Sequence, residues 1–361
     1  MSKKEIRIYD SINDLNENQW NDVVKQSKLG SAFHCAGWLR AVEEGLDRTA
    51  RHLVIEKGGN PVALLPNFVE DVDLPSSVPS VVNRFGAKRL TSIEPGFGGP
   101  LFMGSERSNF ELMFDHVDRL FEGDDLINHR VKTASDEFVR YSRPFAEYGY
   151  QLESGICRLI VDLDQGWEAI EANMNKSKRS NLSRARENPA TVHERSLDGA
   201  ALDEFYDTYR AAMKRVGGTT YPFAFFERLG EEFADHIELF TVEVDGEFAG
   251  GQLYLLDEGR STIHCFFQAV DEAFFEYYPS ELLDEYGMKW AIERGYEEYD
   301  LGSSPPDFTD GSFKYKNELG AYPRPVLSWE KGCSPIKWPM YRLGRWYLKN
   351  RNGPREASSA L

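Results

Sequence analysis

The sequence predicts a mixed α/β protein of two domains, each a mixed, mostly antiparallel sheet flanked by helices. Runs of alternating apolar residues and stripes at helical spacing succeed one another along the chain. Its 361 residues exceed one average domain and suit two. Three strand-like runs in residues 237–268 are joined by Asp245-Gly246 and Asp257-Glu258-Gly259, the punctuation of an antiparallel meander.

Composition narrows the function. The net charge of −17, from 42 basic and 59 acidic residues, argues against a surface that binds nucleic acid throughout, so an anionic substrate must meet a local basic patch. Cys35, Cys157, Cys265 and Cys333 are far apart and read as buried thiols, and the scattered histidines form no zinc motif, so no metal is expected. The first residues lack the apolar run of a signal peptide, and no stretch approaches 18 consecutive apolar residues. A cytoplasmic protein is expected, at most peripheral at the inner membrane face.

In chain order, an edge strand at residues 6–9 leads to helices at 15–25 and around Trp38, then a hairpin turned at Gly58-Gly59-Asn60. Residues 71–99, rich in Pro, Gly and Ser, read as a loop, including Gly96 to Pro100, where no GK[ST] follows. Helices at 110–121 and 136–148 complete a first domain, 1–155. The second, 156–328, opens with a strand at 157–163 and a helix at 167–174. A basic run, Lys176 to Arg186, places five cations without an acid in a strongly acidic chain, and Lys176, Lys178, Arg179 and Arg184 are candidates to bind phosphates. Helices at 201–214 and 223–233, the meander, and a helix from Pro279 to Gly295 follow.

Residues 296–320, YEEYDLGSSPPDFTDGSFKYKNELG, read as a short strand running into a loop that holds Lys314 between Phe313 and Tyr315. Open α/β sheets present their chemistry at such strand ends. Lys314 can neutralise a developing oxyanion, and the flanking Phe313 and Tyr315 can position a substrate. Asp300 and Asp307 are candidate bases, though both equally suit turn or strand-end positions. The tail, 329–361, reverses the charge and interleaves Trp338, Tyr341, Trp346 and Tyr347 with Lys and Arg. It fits either packing on the protein or contact with an anionic membrane.

The segments FHCAGWLRAVEE, KSKRSNLSRARE, FYDTYRAAMKR, VDGEFAGGQLYL, KWAIERGYEEYDLG and GSFKYKNELG resemble, in order and spacing, the Fem-type aminoacyltransferases and Fem-like acetyltransferases. The resemblance spans about residues 30–325. It implies two tandem GNAT-like domains and N-acyl transfer to an amino group of a nucleotide- or lipid-linked sugar or peptide. Lys314 would then assist the transfer, and the basic run would hold phosphates. The donor is a co-substrate, aminoacyl-tRNA or acyl-CoA, and no resident cofactor is expected. The glycine loop with which GNAT enzymes bind the CoA pyrophosphate is replaced by QAVDEAFFEYYPS, residues 268–280. That replacement also leaves open a non-catalytic module that binds a nucleotide-sugar or a partner protein.

Overall fold

In the computed structural model, residues 3–72, 88–123, 126–133, 135–335 and 337–352 are described. They divide into two compact units, one built from residues 1–154 and 326–361 and the other from Gly155–Pro325.

The first unit starts with strand β1 (Lys4–Tyr9) and helices α1 (Glu17–Gln26) and α2 (Ala36–Gly45). Asn16 caps α1 by accepting from the Gln19 N–H at 3.1 Å. Strands β2 (Thr49–Ala50), β3 (His52–Lys57), β4 (Asn60–Leu65), β5 (Phe68–Asp71), β6 (Lys88–Thr91) and β7 (Leu101–Phe102) follow. Helix α3 (Glu106–Gly123), strand β8 (Leu126–Thr133), helix α4 (Ser142–Glu147) and strand β9 (Gln151–Glu153) complete this stretch. β1, β3, β4 and β7 form one sheet. Its core and that of the neighbouring sheet are aromatic, with Phe110, Phe114 and Phe145 fully buried.

The second unit holds β10 (Cys157–Asp162), α5 (Trp167–Asn173), α6 (Lys176–Glu187), β11 (Ala190–Arg195), α7 (Gly199–Val216) and α8 (Phe223–Glu232). The meander is β12 (Ile237–Val244), β13 (Glu247–Asp257) and β14 (Thr262–Val270), followed by α9 (Pro279–Glu293), β15 (Glu298–Ser304), α10 (Gly311–Glu318) and β16 (Tyr322–Pro325). Seven strands make one sheet in the order β11-β12-β13-β14-β15-β10-β16. All its pairs are antiparallel except β14 with β15, which are parallel because the α9 crossover separates them. Central helix α9 lies across the sheet, and Gly287 permits its approach: a Cβ there would sit 2.4 Å from Tyr254 Oη.

From Val326 the chain re-enters the first unit. Strand β17 (Leu327–Gly332) pairs with both β8 and β9 and completes the sheet β2-β5-β6-β8-β17-β9. Its Trp329 is buried and stacks on Phe145 at 4.6 Å. The structure thus differs from a division at 328 with a separate tail, because the apolar Leu327 and Trp329 fill the first unit's core. Helix α11 (Lys337–Asn352) follows. Its Trp338 stacks on Tyr341 at 5.7 Å, and Tyr341 Oη accepts from Arg89 at 2.5 Å, so two of the tail's aromatics are engaged within the unit. The side chains of Trp346 and Tyr347 lie outside the described residues.

Two further expectations are corrected. Residues 136–148 are a 3-10 segment followed by the short α4, not one helix. Residues 311–318 are helix α10 and not loop, because Asp310 accepts from the Ser312 and Phe313 N–H groups and caps its start.

Replacing Gly287 with Ala should destabilise the protein by about 1–3 kcal/mol, the usual cost of forcing a methyl group into a packed interior. Denaturant unfolding measures it, and an unchanged midpoint would show that α9 can ride outward freely.

Candidate active site

β14 and β15 are paired only at Thr262–Glu298, Ile263–Tyr299 and His264–Asp300. Beyond those three positions they part, and Cys265 to Gln268 on one side and Gly302 and Ser303 on the other are only partly covered. Backbone donors and acceptors along the parting lose their sheet partners, which makes the wedge a natural binding groove. Gly302 has a φ of +80° and room for no large side chain, since a Cβ would lie 3.2 Å from the Cys265 carbonyl oxygen.

The amine that enters this wedge is that of Lys316. Its Nζ donates to the Ser303 carbonyl at 2.8 Å and lies 3.7 Å from where a Gly302 Cβ would stand. Among the described residues no carboxylate pairs with it, so an ammonium with three donors has spent one. Burial lowers its pKa, and the nearby Cys265, Asp300 and Asp284 offset part of that. Lys314, two residues earlier and on the opposite side of α10, is exposed.

Tyr315 lies under the wedge. Its hydroxyl donates to Asp284 Oδ2 at 3.1 Å, and Lys178 Nζ sits 3.4 Å from the centre of its ring. Lys178 is buried and pairs with Glu281 at 3.0 Å, and Asn181 Nδ2 reaches the same carboxylate oxygen at 3.2 Å. Phe313 is half-buried against the core.

Three cations of the basic run are structural, a correction to the reading of Lys178 and Arg179 as phosphate ligands. Lys178 is committed to Glu281 as described. Arg179 donates to the Ala172 and Met174 carbonyls at the end of α5, where the helix dipole favours a cation. Arg186 is held by Glu285 at 2.6 Å and Glu171 at 2.9 Å, tying α6 to α9. Arg184 touches the Tyr278 hydroxyl at 3.1 Å, and Lys176 is exposed at the start of α6.

Asp300 is not placed as a base. It is 2% exposed, accepts from Arg158 at 2.9 Å, His264 Nδ1 at 2.7 Å and the Gly302 N–H at 2.9 Å. Burial raises its pKa, but the Arg158 charge and the His264 hydrogen bond outweigh that and hold it below the ordinary carboxylate range. For His264 burial lowers the pKa, yet Asp257 and Asp300 raise it overall. Asp307 accepts from the Thr309 N–H at 2.8 Å and from its hydroxyl at 2.7 Å, the duty of a turn residue. The pyrophosphate loop is also filled differently. Residues 272–277 form a 3-10 turn capped by Asp271, whose carboxylate accepts from the Ala273 N–H.

The acetyltransferase (GNAT) domain family matches residues 173–317. That segment lies within the second unit. A UDP-N-acetylmuramoylpentapeptide-lysine N(6)-alanyltransferase from Weissella viridescens is 27% identical over 158 residues, 43% of this chain and 46% of that protein. The match therefore spans less than half the length of that relative. The FemX crystal structure superposes with a TM-score of 0.68 at 14% identity, covering 91% of this chain and 98% of FemX. The C-terminal domain of a putative lysylphosphatidylglycerol synthetase from Agrobacterium fabrum gives 0.61 at 13% identity, over 94% and 98%. A tandem GNAT protein from the clavulanic acid pathway gives 0.56 at 13%, over 92% and 99%. The Fem-like likeness and the tandem GNAT-like architecture read from the motifs are borne out.

Sequence reading missed Lys316, Asp284, Glu281 and Gln252. Treating residues 311–318 as a helix would have found the first, since Lys316 shares a face with Ser312 four residues before and the buried Leu319 three after.

Replacing Asp300 with Ala should cost on the order of 3–5 kcal/mol of stability, because Arg158 and His264 each lose a buried charged partner. In the intact protein the His264 share is complete below its unfolded value of 6.5 and fades as pH rises through its raised value; the Asp300 share is complete above 3.8 and fades as pH falls through its lowered one. Denaturation midpoints across pH test both limbs. A variant as stable as the parent but slower would restore Asp300 as a base.

Proposed function

We propose that the chain is an N-acyltransferase of Fem type that moves an aminoacyl group onto an amine of a cell-wall precursor. The observation that carries this reading is the Lys316 ammonium, held in the β14–β15 wedge with no carboxylate partner among the described residues and with donors to spare. Attack of an amine on an ester carbonyl builds negative charge on the carbonyl oxygen. A fixed cation with unspent N–H groups stabilises that charge more than the ground state. The lysine role is thus assigned to Lys316 rather than Lys314.

The relative from Weissella viridescens is by its name an alanyltransferase acting at a lysine of a UDP-N-acetylmuramoylpentapeptide, which supports an aminoacyl donor and a phosphate-bearing peptide acceptor. The capped turn at 272–277 supports aminoacyl-tRNA over acyl-CoA, since the backbone donors that would face a pyrophosphate are not laid out as a glycine loop. Phosphates of the acceptor would be met by exposed cations, of which Lys176 and Arg184 flank this unit's central helix. A lipid-linked acceptor would fit the same chemistry.

The test is incubation with charged tRNA and UDP-N-acetylmuramoyl-pentapeptide, read by mass spectrometry for the added aminoacyl group, with acetyl-CoA as the competing donor. Lys316→Ala should lose on the order of 100-fold in turnover. Lys314→Ala should keep parental turnover. The reverse pattern would return the role to Lys314, and acceptor binding without transfer from any donor would favour a binding module.

A further inference from the structure

Beneath the wedge lies a closed circle of buried polar side chains from three elements. Asp284 Oδ1 lies 3.3 Å from Tyr299 Oη, Tyr299 Oη lies 2.7 Å from Tyr254 Oη, Tyr254 Oη contacts Gln252 Oε1, and Gln252 Nε2 returns to Asp284 Oδ1 at 3.1 Å. Asp284 is 1% exposed, and Gln252, Tyr254 and Tyr299 are sealed from solvent.

The circle can be counted for hydrogens. It has four links, and each consumes one hydrogen. The two tyrosines supply one each and the Gln252 amide supplies one, making three. Reversing the amide moves the deficit to the Gln252–Asp284 link without removing it. An ionised Asp284 has no hydrogen to give, so one link stays open. The Leu283 carbonyl, 3.4 Å from Tyr254 Oη, adds another acceptor and no donor. A proton on Asp284 is the missing fourth hydrogen. Buried polar networks of this kind are stable only when every member is satisfied.

The charged surroundings are equally specific. Glu281 lies one turn earlier on α9 and is paired with Lys178 of α6. Tyr315 of α10 donates to the other Asp284 oxygen, and Lys316 is its neighbour in the chain. Gln252 of β13 also reaches the Cys265 sulfur of β14 at 2.6 Å, and burial pushes that thiol up to about 12, so it stays neutral. On β15 the Asp300 charge is already matched by Arg158. Asp284 is therefore the carboxylate near Lys316 whose charge is not committed to an ion pair.

We propose that Asp284 is the proton acceptor of the site, taking the proton that leaves the acceptor nitrogen and closing the hydrogen-bond circle as it does so. This rests on the acyl-transfer reading for its use. The acceptor enters as the neutral amine, its ammonium proton having gone to solvent, and its nitrogen attacks the donor ester carbonyl. An N–H bond of the nitrogen made cationic by that attack then breaks and Asp284 gains an O–H bond. When the intermediate expels the donor's oxygen, the C–O bond breaks, that oxygen takes the proton from Asp284, and Asp284 is again a carboxylate. Burial raises the Asp284 pKa, hydrogen bonds from Gln252 and Tyr315 pull it back, and it comes to rest at about 6, where exchange in either direction is cheap. In its ionised form it also supplies counter-charge to Lys316.

Infrared difference spectra against pH, on protein whose aspartate carboxyls carry ¹³C, read this group without any substrate. We expect a protonated-carboxyl band with a midpoint at about 6 that is absent from Asp284→Asn. In Lys316→Met the same midpoint should move upward, on the order of one pH unit, because a nearby cation favouring the carboxylate is gone. Lys316 is half-buried on a short helix, so this variant serves even if Asp284→Asn does not fold. The proposal is overturned if parent and Asp284→Asn give the same band, or if Lys316→Met leaves the midpoint in place. A protein with the band and the shift but no transfer to any acceptor keeps the coupled pair and fails only the acyl-transfer reading.

Discussion

The second unit depends on a sheet that is allowed to come apart. Three paired positions hold β14 to β15, and one residue further the strands diverge. The parting costs hydrogen bonds that a continuous ladder would keep, and it is sustained by anchors on both sides of it. Asp300 grips the Gly302 N–H at the last paired register, with Arg158 and His264 holding the carboxylate in turn. On the far side β14 stays paired with β13 as far as Gly250 and Val270. The wedge is thus a built opening, with its walls fixed by other strands.

Polar groups that would be costly in an ordinary core cluster around that opening. Lys178–Glu281, the Asp284 circle and the Asp300 trio are all buried, and burying charges in this way is weak support for stability in itself. Their placement on α6, α9 and four strands of one sheet converts helix packing into electrostatic positioning. Tyr315 illustrates the economy: one ring takes the Lys178 ammonium on its face and sends its hydroxyl to Asp284.

The sequence made the architecture largely readable because its signals were local. Alternation and turn glycines marked the meander, and Pro279 marked the start of α9 within the limits of the observed element. What escaped was whatever depended on distant partners. β17 has no turn signal tying it to residues 126–133, its pairing partner two hundred positions earlier. The cations of α6 looked available because nothing local shows that Glu281 and Glu285 lie a hundred residues on. Lys316 escaped for another reason: a stretch with two prolines reads as loop, and in a loop neighbouring lysines are equivalent. A helix separates them.

The way the chain enters and leaves the second unit has a consequence for how such a protein can be assembled. Its first strand and its last are hydrogen-bonded neighbours, with Cys157 opposite Pro325. Entry and exit are therefore about 5 Å apart, the spacing of adjacent strands. A module with its ends side by side can be inserted into another chain, or lifted out of it, with the host needing only to bridge one strand-to-strand gap. The first unit, whose sheet is completed only by residues after 326, is the host in that sense, and it carries its guest as a continuous cassette.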